Sequence, residues 1–151
     1  MLILKNKILK RNLLENEKKY SINEIGIVKN DLLNLNEAYK MRNYISTILL
    51  YEDYEDGLYK IEENEYLQVL FYFHRSNDDV RLKGLEYKGG PKGLFASRAP
   101  NRPSQIGLTT VKLLQRNGRE LKVIGLDAIN GTPVLDIKPF AIEMDLLENI
   151  S

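Results

Sequence analysis

The sequence has no cysteine and only one histidine, His74, among its 151 residues. Without thiols it cannot form disulfide scaffolds, thiolate zinc sites or cysteine nucleophiles, and one imidazole excludes metal sites built from clustered histidines. It also lacks the run of roughly 18 apolar residues that a membrane helix needs, and charge interrupts its start too early for a secretory signal. We therefore expect a cytoplasmic protein that uses neither a membrane anchor nor a metal.

Net charge is also nearly absent, because 22 basic side chains balance 21 acidic ones to leave +1. The balance hides a segregation along the chain: residues 1–20 carry +4, residues 52–65 carry −6, residues 72–122 carry +7 and residues 123–151 carry −4. A basic middle segment is typical of proteins that bind phosphate-bearing partners. The alternative is that acidic and basic stretches of one fold neighbour each other in space.

Short apolar runs rich in β-branched and aromatic residues predict strands. The clearest signal is the Asn117-Gly118 pair between two such runs, which predicts a tight hairpin. Six or seven strands with turns between them indicate a mainly β protein, a small closed or nearly closed β-barrel with short flanking helices. The predicted strands are Ile25–Val28, Ser46–Tyr51, Tyr66–Phe73, Gly93–Ser97, Thr109–Leu114, Glu120–Ile124 and Pro133–Ile137.

Helix is expected in only three places: residues 3–18, about 57–65 and 143–150. The first would form a basic N-terminal extension, residues 1–21, either docked on the barrel or reaching towards nucleic acid. No Gly-x-Gly-x-x-Gly motif follows a strand, so a doubly wound nucleotide-binding fold has no support.

Residues 89–107 form a loop unlike its surroundings, with three of the five prolines and two arginines, Arg98 and Arg102. Prolines 100 and 103 restrict the backbone, so the guanidinium groups are held in place. Such groups fit the oxygens of a carboxylate or phosphate, which indicates an anion-binding loop. The alternative is that these arginines pair with an internal acid.

A second loop, residues 125–140, contains Asn130-Gly131, which permits a positive φ, and two carboxylates, Asp127 and Asp136. Two loops of this kind on one barrel suggest a ligand pocket. Alternatively, Asp127 caps the turn and Asp136 forms a structural ion pair with Lys138 or Arg98.

At these two loops the sequence resembles the TsaA-like, or TrmO, family. The resemblance rests on Gly93–Pro103 with Ile106–Leu108 and on Leu126-Asp127 followed by Gly131–Pro139, and it covers about residues 22–142, with residues 143–151 as a short C-terminal helix or tail. It implies a small β-barrel that binds S-adenosylmethionine, is commonly a homodimer and methylates N6-threonylcarbamoyladenosine beside the tRNA anticodon.

Position by position, the resemblance assigns cofactor binding to nine residues and substrate binding to two. The cofactor set is His74, Arg75, Arg98, Leu108, Asp127, Ala128, Ile129, Asn130 and, with only a loose match in Met41-Arg42-Asn43, Arg42. Arg102 and Lys138 are assigned to substrate. Because a ureido-type nitrogen must lose its proton to react, Asp136 or Asp127 is expected to act as the base.

The sequence departs from the family pattern at four positions: Ser104, Gln105, Asn130 and Phe140. Loss of the usual proline at 105 should free the loop, Asn130 removes the charge of the usual carboxylate, and Phe140 lacks the usual hydroxyl. Three functions therefore stay open: a tRNA adenosine N-methyltransferase, a methyltransferase of the same barrel acting on a small molecule, and a non-catalytic module that binds S-adenosylmethionine or RNA.

Overall fold

The computed structural model describes residues 21–34, 42–86 and 89–146. Within these ranges six strands form a closed barrel, every neighbouring pair antiparallel, in the order β1-β2-β5-β4-β3-β6. The mainly β closed barrel expected from the sequence is confirmed. The strands are β1 Gly26–Lys29, β2 Ile45–Leu50, β3 Tyr66–Tyr72, β4 Ile106–Asn117, β5 Glu120–Ile124 and β6 Pro133–Pro139.

Burial alternates along the strands with the period of two expected of a sheet. Every second side chain therefore faces inward, and these side chains fill the barrel. Removing one such side chain from water contributes roughly 1.5–3 kcal/mol to folding. The barrel core consists of Val28, Ile48, Leu50, Leu67, Val69, Phe71, Val111, Leu121, Val123 and Val134.

The β4–β5 hairpin is confirmed, but its turn lies one residue further on than the Asn-Gly pair suggests. Asn117 pairs with Glu120, so Gly118 and Arg119 are the two central residues. Gly118 has a φ of 57°, and Arg119 is not among the described residues with positive φ. Only the first central position therefore needs glycine, as in a II′ turn.

The strand predicted at residues 93–97 is wrong. Leu94–Ala96 forms a single 3-10 turn, and the Ser97 hydroxyl donates to the Leu94 carbonyl at 2.7 Å. The buried Leu94 side chain and this local hydrogen bond favour a turn over strand pairing.

Helix is as sparse as expected. The helix predicted near 57–65 is two 3-10 segments, Glu52–Leu58 and Ile61–Glu63, so it begins five residues earlier. A short helix, α1, spans Ile142–Asp145 near the predicted start of the last helix. The expected helix at residues 3–18 and the end of the last one lie outside the described residues.

The segment between β5 and β6 crosses the end of the barrel. In the strand order, β5 and β6 are three positions apart in a ring of six, so they lie on opposite sides. The connecting residues cover the core as they cross, since Leu126, Ala128 and Ile129 are all buried. This crossing segment, residues 125–132, carries four of the residues assigned to cofactor binding.

Candidate functional site

A cavity of about 220 Å³ opens beside the end of the barrel. Its lining comes from the end of β3, the arginine loop, the start of β4 and the crossing segment. These elements are far apart in sequence, and barrel closure brings them together. The lining residues are Phe71, Phe73, Arg98, Arg102, Ile106, Gly107, Leu108, Thr109 and Asp127.

Two aromatic rings at the end of β3 and directly after it form the apolar wall of this cavity. Phe71 and Phe73 pack edge to face, with ring centroids 5.2 Å apart. Gly107 lies against both: a Cβ built there would be 2.4 Å from Phe71 Cε2 and 2.9 Å from Phe73 Cζ. Glycine is therefore required at this position for the rings to pack beneath β4.

The carboxylate of Asp127 is held at the cavity by Thr109, whose hydroxyl donates a hydrogen bond to Asp127 Oδ1. Thr109 is a buried residue on β4 and Asp127 is half-buried, so the carboxylate is fixed in orientation while one side faces the cavity. Of the two candidate bases, Asp127 is the one that lines this cavity.

Asp136 and Lys138 lie on β6, outside the residues that line the cavity. They form an ion pair with each other at 2.6 Å, and Asp136 also accepts the Ile137 amide at 3.0 Å. This geometry matches the structural alternative that the sequence left open for Asp136. The expected roles of both residues in catalysis and substrate binding stay predictions.

Two arginines reach the cavity from one loop, but they differ in what holds them. Arg98 is exposed and donates through Nη2 to the Leu108 carbonyl, which ties the loop to β4. The Leu108 side chain is itself 38% exposed at the rim. Arg98 and Leu108, both assigned to the cofactor, are thus neighbours.

Arg102 shapes its own loop. Its Nη1 atom lies within hydrogen-bonding distance of three main-chain carbonyls, at 3.4 Å from Leu94, 3.1 Å from Ser97 and 3.4 Å from Ala99. The structural alternative to ligand binding was pairing with an acid, whereas the observed partners are carbonyls. Arg102 still lines the cavity, so a ligand contact through its remaining nitrogens is compatible with this role.

Asn30 is a residue beside the candidate site that sequence reasoning missed. Its side-chain amide donates to the Ser46 hydroxyl at 3.0 Å and to the Ala128 carbonyl at 2.9 Å, while its side-chain oxygen accepts the Leu32 amide at 3.0 Å. Its own main-chain amide donates to the side chain of Asn130 at 3.2 Å. Asn30 therefore fixes the crossing segment, and the only signal was a polar residue directly after a strand.

The middle of the crossing segment is largely buried, and Asn130 is the residue there that faces solvent. The side chains of Ala128 and Ile129 are buried in the barrel end. Asn130 is exposed, and its main-chain amide donates to the Leu32 carbonyl at 2.7 Å. Arg42 is exposed, and its carbonyl lies 3.8 Å from a Cβ built on Gly125, at the start of the segment.

His74 and Arg75 follow β3 and lie outside the cavity lining. Arg75 reaches the Leu33 carbonyl at 3.4 Å, and the neighbouring Leu32 contacts the crossing segment. The buried Nδ1 atom of His74 has no hydrogen-bond partner among the described residues. Burial lowers the pKa of His74, as does the charge of Arg75, against the opposite effects of the Tyr72 carbonyl and Glu24.

The loop at Gln105 is tied down, contrary to the expectation that losing a proline frees it. Gln105 has a φ of 51°, a value that proline cannot adopt. Its side-chain nitrogen donates to the Ser76 hydroxyl at 2.9 Å, and its side-chain oxygen accepts from the Tyr72 hydroxyl. Its main-chain carbonyl accepts the Phe73 main-chain amide at 2.8 Å. The side chain thus holds the loop against the end of β3.

The other departures lie at separate places. Ser104 lines a second cavity of about 290 Å³ together with Glu24 and Tyr72. Phe140 follows β6, where its main-chain amide donates to the Tyr66 carbonyl at 3.0 Å.

Among the residues that the structure describes, there is no group of three metal-ligating side chains and no helix long and apolar enough to cross a membrane.

The described residues form one closed barrel with an arginine-lined cavity at one end. Residues 36–146 match the model of the tRNA-methyltransferase O N-terminal domain. The chain belongs to this family, as the resemblance predicted.

Similar proteins agree with this assignment. The chain is 37% identical over 131 residues to a probable S-adenosyl-L-methionine-binding protein of Archaeoglobus fulgidus, covering 85% of this chain and 36% of the relative. It is 36% identical over 105 residues to a tRNA (adenine(37)-N6)-methyltransferase of Mus musculus, covering 68% and 24%. A crystal structure of TrmO superposes with a TM-score of 0.72 at 27% identity, covering 88% of this chain and 62% of that one. The chain thus spans about a third or less of these two curated relatives.

Proposed function

We propose that this protein is an S-adenosylmethionine-dependent methyltransferase that modifies N6 of the threonylcarbamoylated adenosine beside the tRNA anticodon. The observation that carries the proposal is the convergence of Arg98 and Asp127 on one cavity with an aromatic wall, in a chain of the tRNA-methyltransferase O family. Relatives named as cofactor-binding proteins and as tRNA adenine methyltransferases support the cofactor and the substrate.

The chain's residues suit such a cofactor. Arginine guanidinium groups fit a carboxylate, and the Asp127 carboxylate at the cavity can accept hydrogen bonds from a ribose or a base. The cavity, at about 220 Å³, is smaller than the roughly 300–1,000 Å³ of ordinary small-molecule sites, so it can enclose only part of such a molecule. We therefore propose that a homodimer completes the site. We also propose that the protein acts in the cytoplasm, where its proposed tRNA substrate is found.

The cofactor, when bound, supplies an electrophilic methyl group. Asp127 takes the proton that leaves the acceptor nitrogen as that nitrogen becomes methylated, and Thr109 keeps the carboxylate oriented towards it. Phe71 and Phe73 exclude water from one side, and Arg98 binds an anionic group of the cofactor or acceptor. Residues 22–142 form the domain that does this.

The test is incubation with methyl-labelled S-adenosylmethionine and two acceptor pools, total tRNA and a small-metabolite extract. Label in tRNA that nuclease digestion traces to methylated threonylcarbamoyladenosine supports the proposal. Label only among metabolites favours the second candidate, a small-molecule methyltransferase, for which the tied loop at Gln105 is the specific observation. Cofactor binding without label in either pool contradicts both.

Two matched variants test the base. Asp127→Asn should reduce kcat by about 10²–10⁴-fold while sparing cofactor binding, because general-base catalysis contributes about that much. Asp136→Asn is the control, since Asp136 is paired with Lys138 away from the cavity, and it should leave kcat nearly unchanged. The reverse result would reassign the base to Asp136.

A further inference from the structure

Phe95 is a large apolar side chain held out in water on an anchored turn. It is 77% exposed, whereas its neighbour Leu94 is 1% exposed and serves as the anchor of the turn. The Ser97 hydroxyl and amide both donate to the Leu94 carbonyl, at 2.7 and 3.1 Å. The turn therefore holds the Phe95 ring in a fixed position in which its face is open to solvent.

Arg102 connects this ring to the candidate site. Its guanidinium lies over the Phe95 ring, 5.8 Å from the centroid, and the same side chain lines the cavity. Because Arg102 Nη1 contacts carbonyls of the same loop, the cation that backs the ring is itself held in place. Phe95 is therefore presented beside the cavity mouth, with a fixed positive charge next to it.

The charge around Phe95 identifies the kind of ligand. The loop that holds Phe95 and the start of β4, residues 89–108, carry three basic side chains, Lys92, Arg98 and Arg102, and no acidic one. Exposed aromatic rings among basic groups are how proteins bind unpaired nucleic acid, since bases stack on the rings and phosphates pair with the cations. A partner protein or a second copy would require an acidic or apolar counterpart, and a nucleotide supplies both the aromatic face and the negative charge.

We propose that Phe95, backed by Arg102, is a stacking platform for an unpaired nucleobase of the RNA acceptor, next to the cavity where the reacting nucleotide is held. This proposal rests on the proposed function and adds to it the contact that orients the RNA loop. Stacking by a ring is tolerant of sequence, so Phe95 recognises an unstacked base and leaves the choice of base to the cavity.

The chain offers a matched control in Tyr59. Tyr59 is also 77% exposed and also has a cation over its ring, Lys60 at 5.9 Å. It lies, however, in residues 52–65, which carry seven acidic side chains and one basic one. Phe95 and Tyr59 share exposure and a cationic neighbour and differ in the charge of the surrounding segment. Of the two, we therefore expect Phe95 to bind RNA and Tyr59 not to.

The experiment measures binding of the full chain to a fluorescent RNA stem-loop with unpaired adenosines, and to the same RNA with abasic loop residues. Phe95→Ala should weaken binding of the intact RNA by about fivefold to a hundredfold, the usual effect of removing one stacked base contact. Phe95→Tyr should bind like wild type, and so should Tyr59→Ala. The abasic RNA should bind weakly and equally to wild type and Phe95→Ala.

Parallel readouts separate the alternatives. In Phe95→Ala, unchanged S-adenosylmethionine affinity and an unchanged dependence of RNA affinity on salt concentration support a base contact, because the cofactor and phosphate contacts remain. Loss of cofactor affinity, a changed sedimentation mass or unaltered RNA binding would each overturn the proposal. Wild type that neither binds nor methylates RNA would instead contradict the proposed function itself. Phe95→Leu, which keeps an apolar side chain but no ring, provides the same test if the alanine variant fails to fold.

Discussion

Replacing Asn30 by alanine should both destabilise the protein and weaken cofactor binding. The change removes the side-chain donors to the Ser46 hydroxyl and the Ala128 carbonyl and the side-chain acceptor for the Leu32 amide, all on buried residues. Leaving one buried polar group without a partner costs roughly 1–3 kcal/mol, so three cost about 3–9 kcal/mol. Because Asn30 is only half-buried, water can partly replace the lost bonds, and we expect about 2–4 kcal/mol.

The assays are urea unfolding for stability and calorimetric titration of S-adenosylmethionine well below the unfolding transition. Asn30→Asp is the informative companion, because it keeps the acceptor for the Leu32 amide and loses the two donated bonds. Asn64→Ala is the control: Asn64 donates one side-chain bond, to the Ile61 carbonyl at 3.2 Å, at a site away from the crossing segment. It should cost about 0.5–1.5 kcal/mol and leave cofactor affinity unchanged.

The reasoning would be refuted if Asn30→Ala unfolded within about 0.5 kcal/mol of wild type, the range of ordinary surface substitutions. A large loss of stability with unchanged cofactor affinity would refute the positioning role alone. In that case Asn30 would stabilise the barrel, and the main chain of residues 127–130 would keep its shape without it.

Three further predictions follow from single contacts. Gly107→Ala should lower the free energy of unfolding by about 1–3 kcal/mol, since its Cβ would overlap the Phe71 ring; chemical denaturation measures this, and a stability equal to wild type would contradict the packing argument. Thr109→Val should reduce kcat more than cofactor affinity, because it releases the Asp127 carboxylate; equal kcat in single-turnover assays would exclude Thr109 from the mechanism. His74→Gln should flatten the pH dependence of the melting temperature: burial lowers the folded pKa, so the unfolded chain binds the proton more readily and wild-type stability falls as pH drops below about 6.5. A constant difference between the two proteins from pH 8 to 5 would refute this.

Most of the barrel could be predicted because its signals are local. Alternating apolar residues mark β2 and β3, and a glycine in the turn marks the hairpin between β4 and β5. The strand prediction for residues 93–97 failed because Leu94 and Phe95 face opposite environments, one in the core and one in water, as adjacent residues of a strand would. Periodicity cannot distinguish a strand from a turn that happens to bury one side chain.

The candidate site was only partly predictable, since its geometry depends on contacts between distant elements. Motif resemblance supplied Arg98, Leu108 and Asp127, which the structure brings to one cavity. The sequence left the Asp136–Lys138 ion pair open as one alternative and could not decide for it, because an ion pair depends on register and rotamer. Nor could it reveal Asn30, whose partner Ala128 lies 98 positions away along the chain.

The path of the crossing segment joins folding to activity. Residues 125–132 cover the open end of the hydrophobic core. They also carry four of the residues that the family resemblance assigns to cofactor binding. A chain in which this end of the barrel has not closed would therefore have no site, and an intermediate with partial activity is not expected. Heat inactivation should coincide with loss of the tertiary fold, and cofactor should protect the protein from proteolysis in proportion to its occupancy. Substitutions that loosen the core beneath Ile129 would be recorded as losses of function although they touch no ligand.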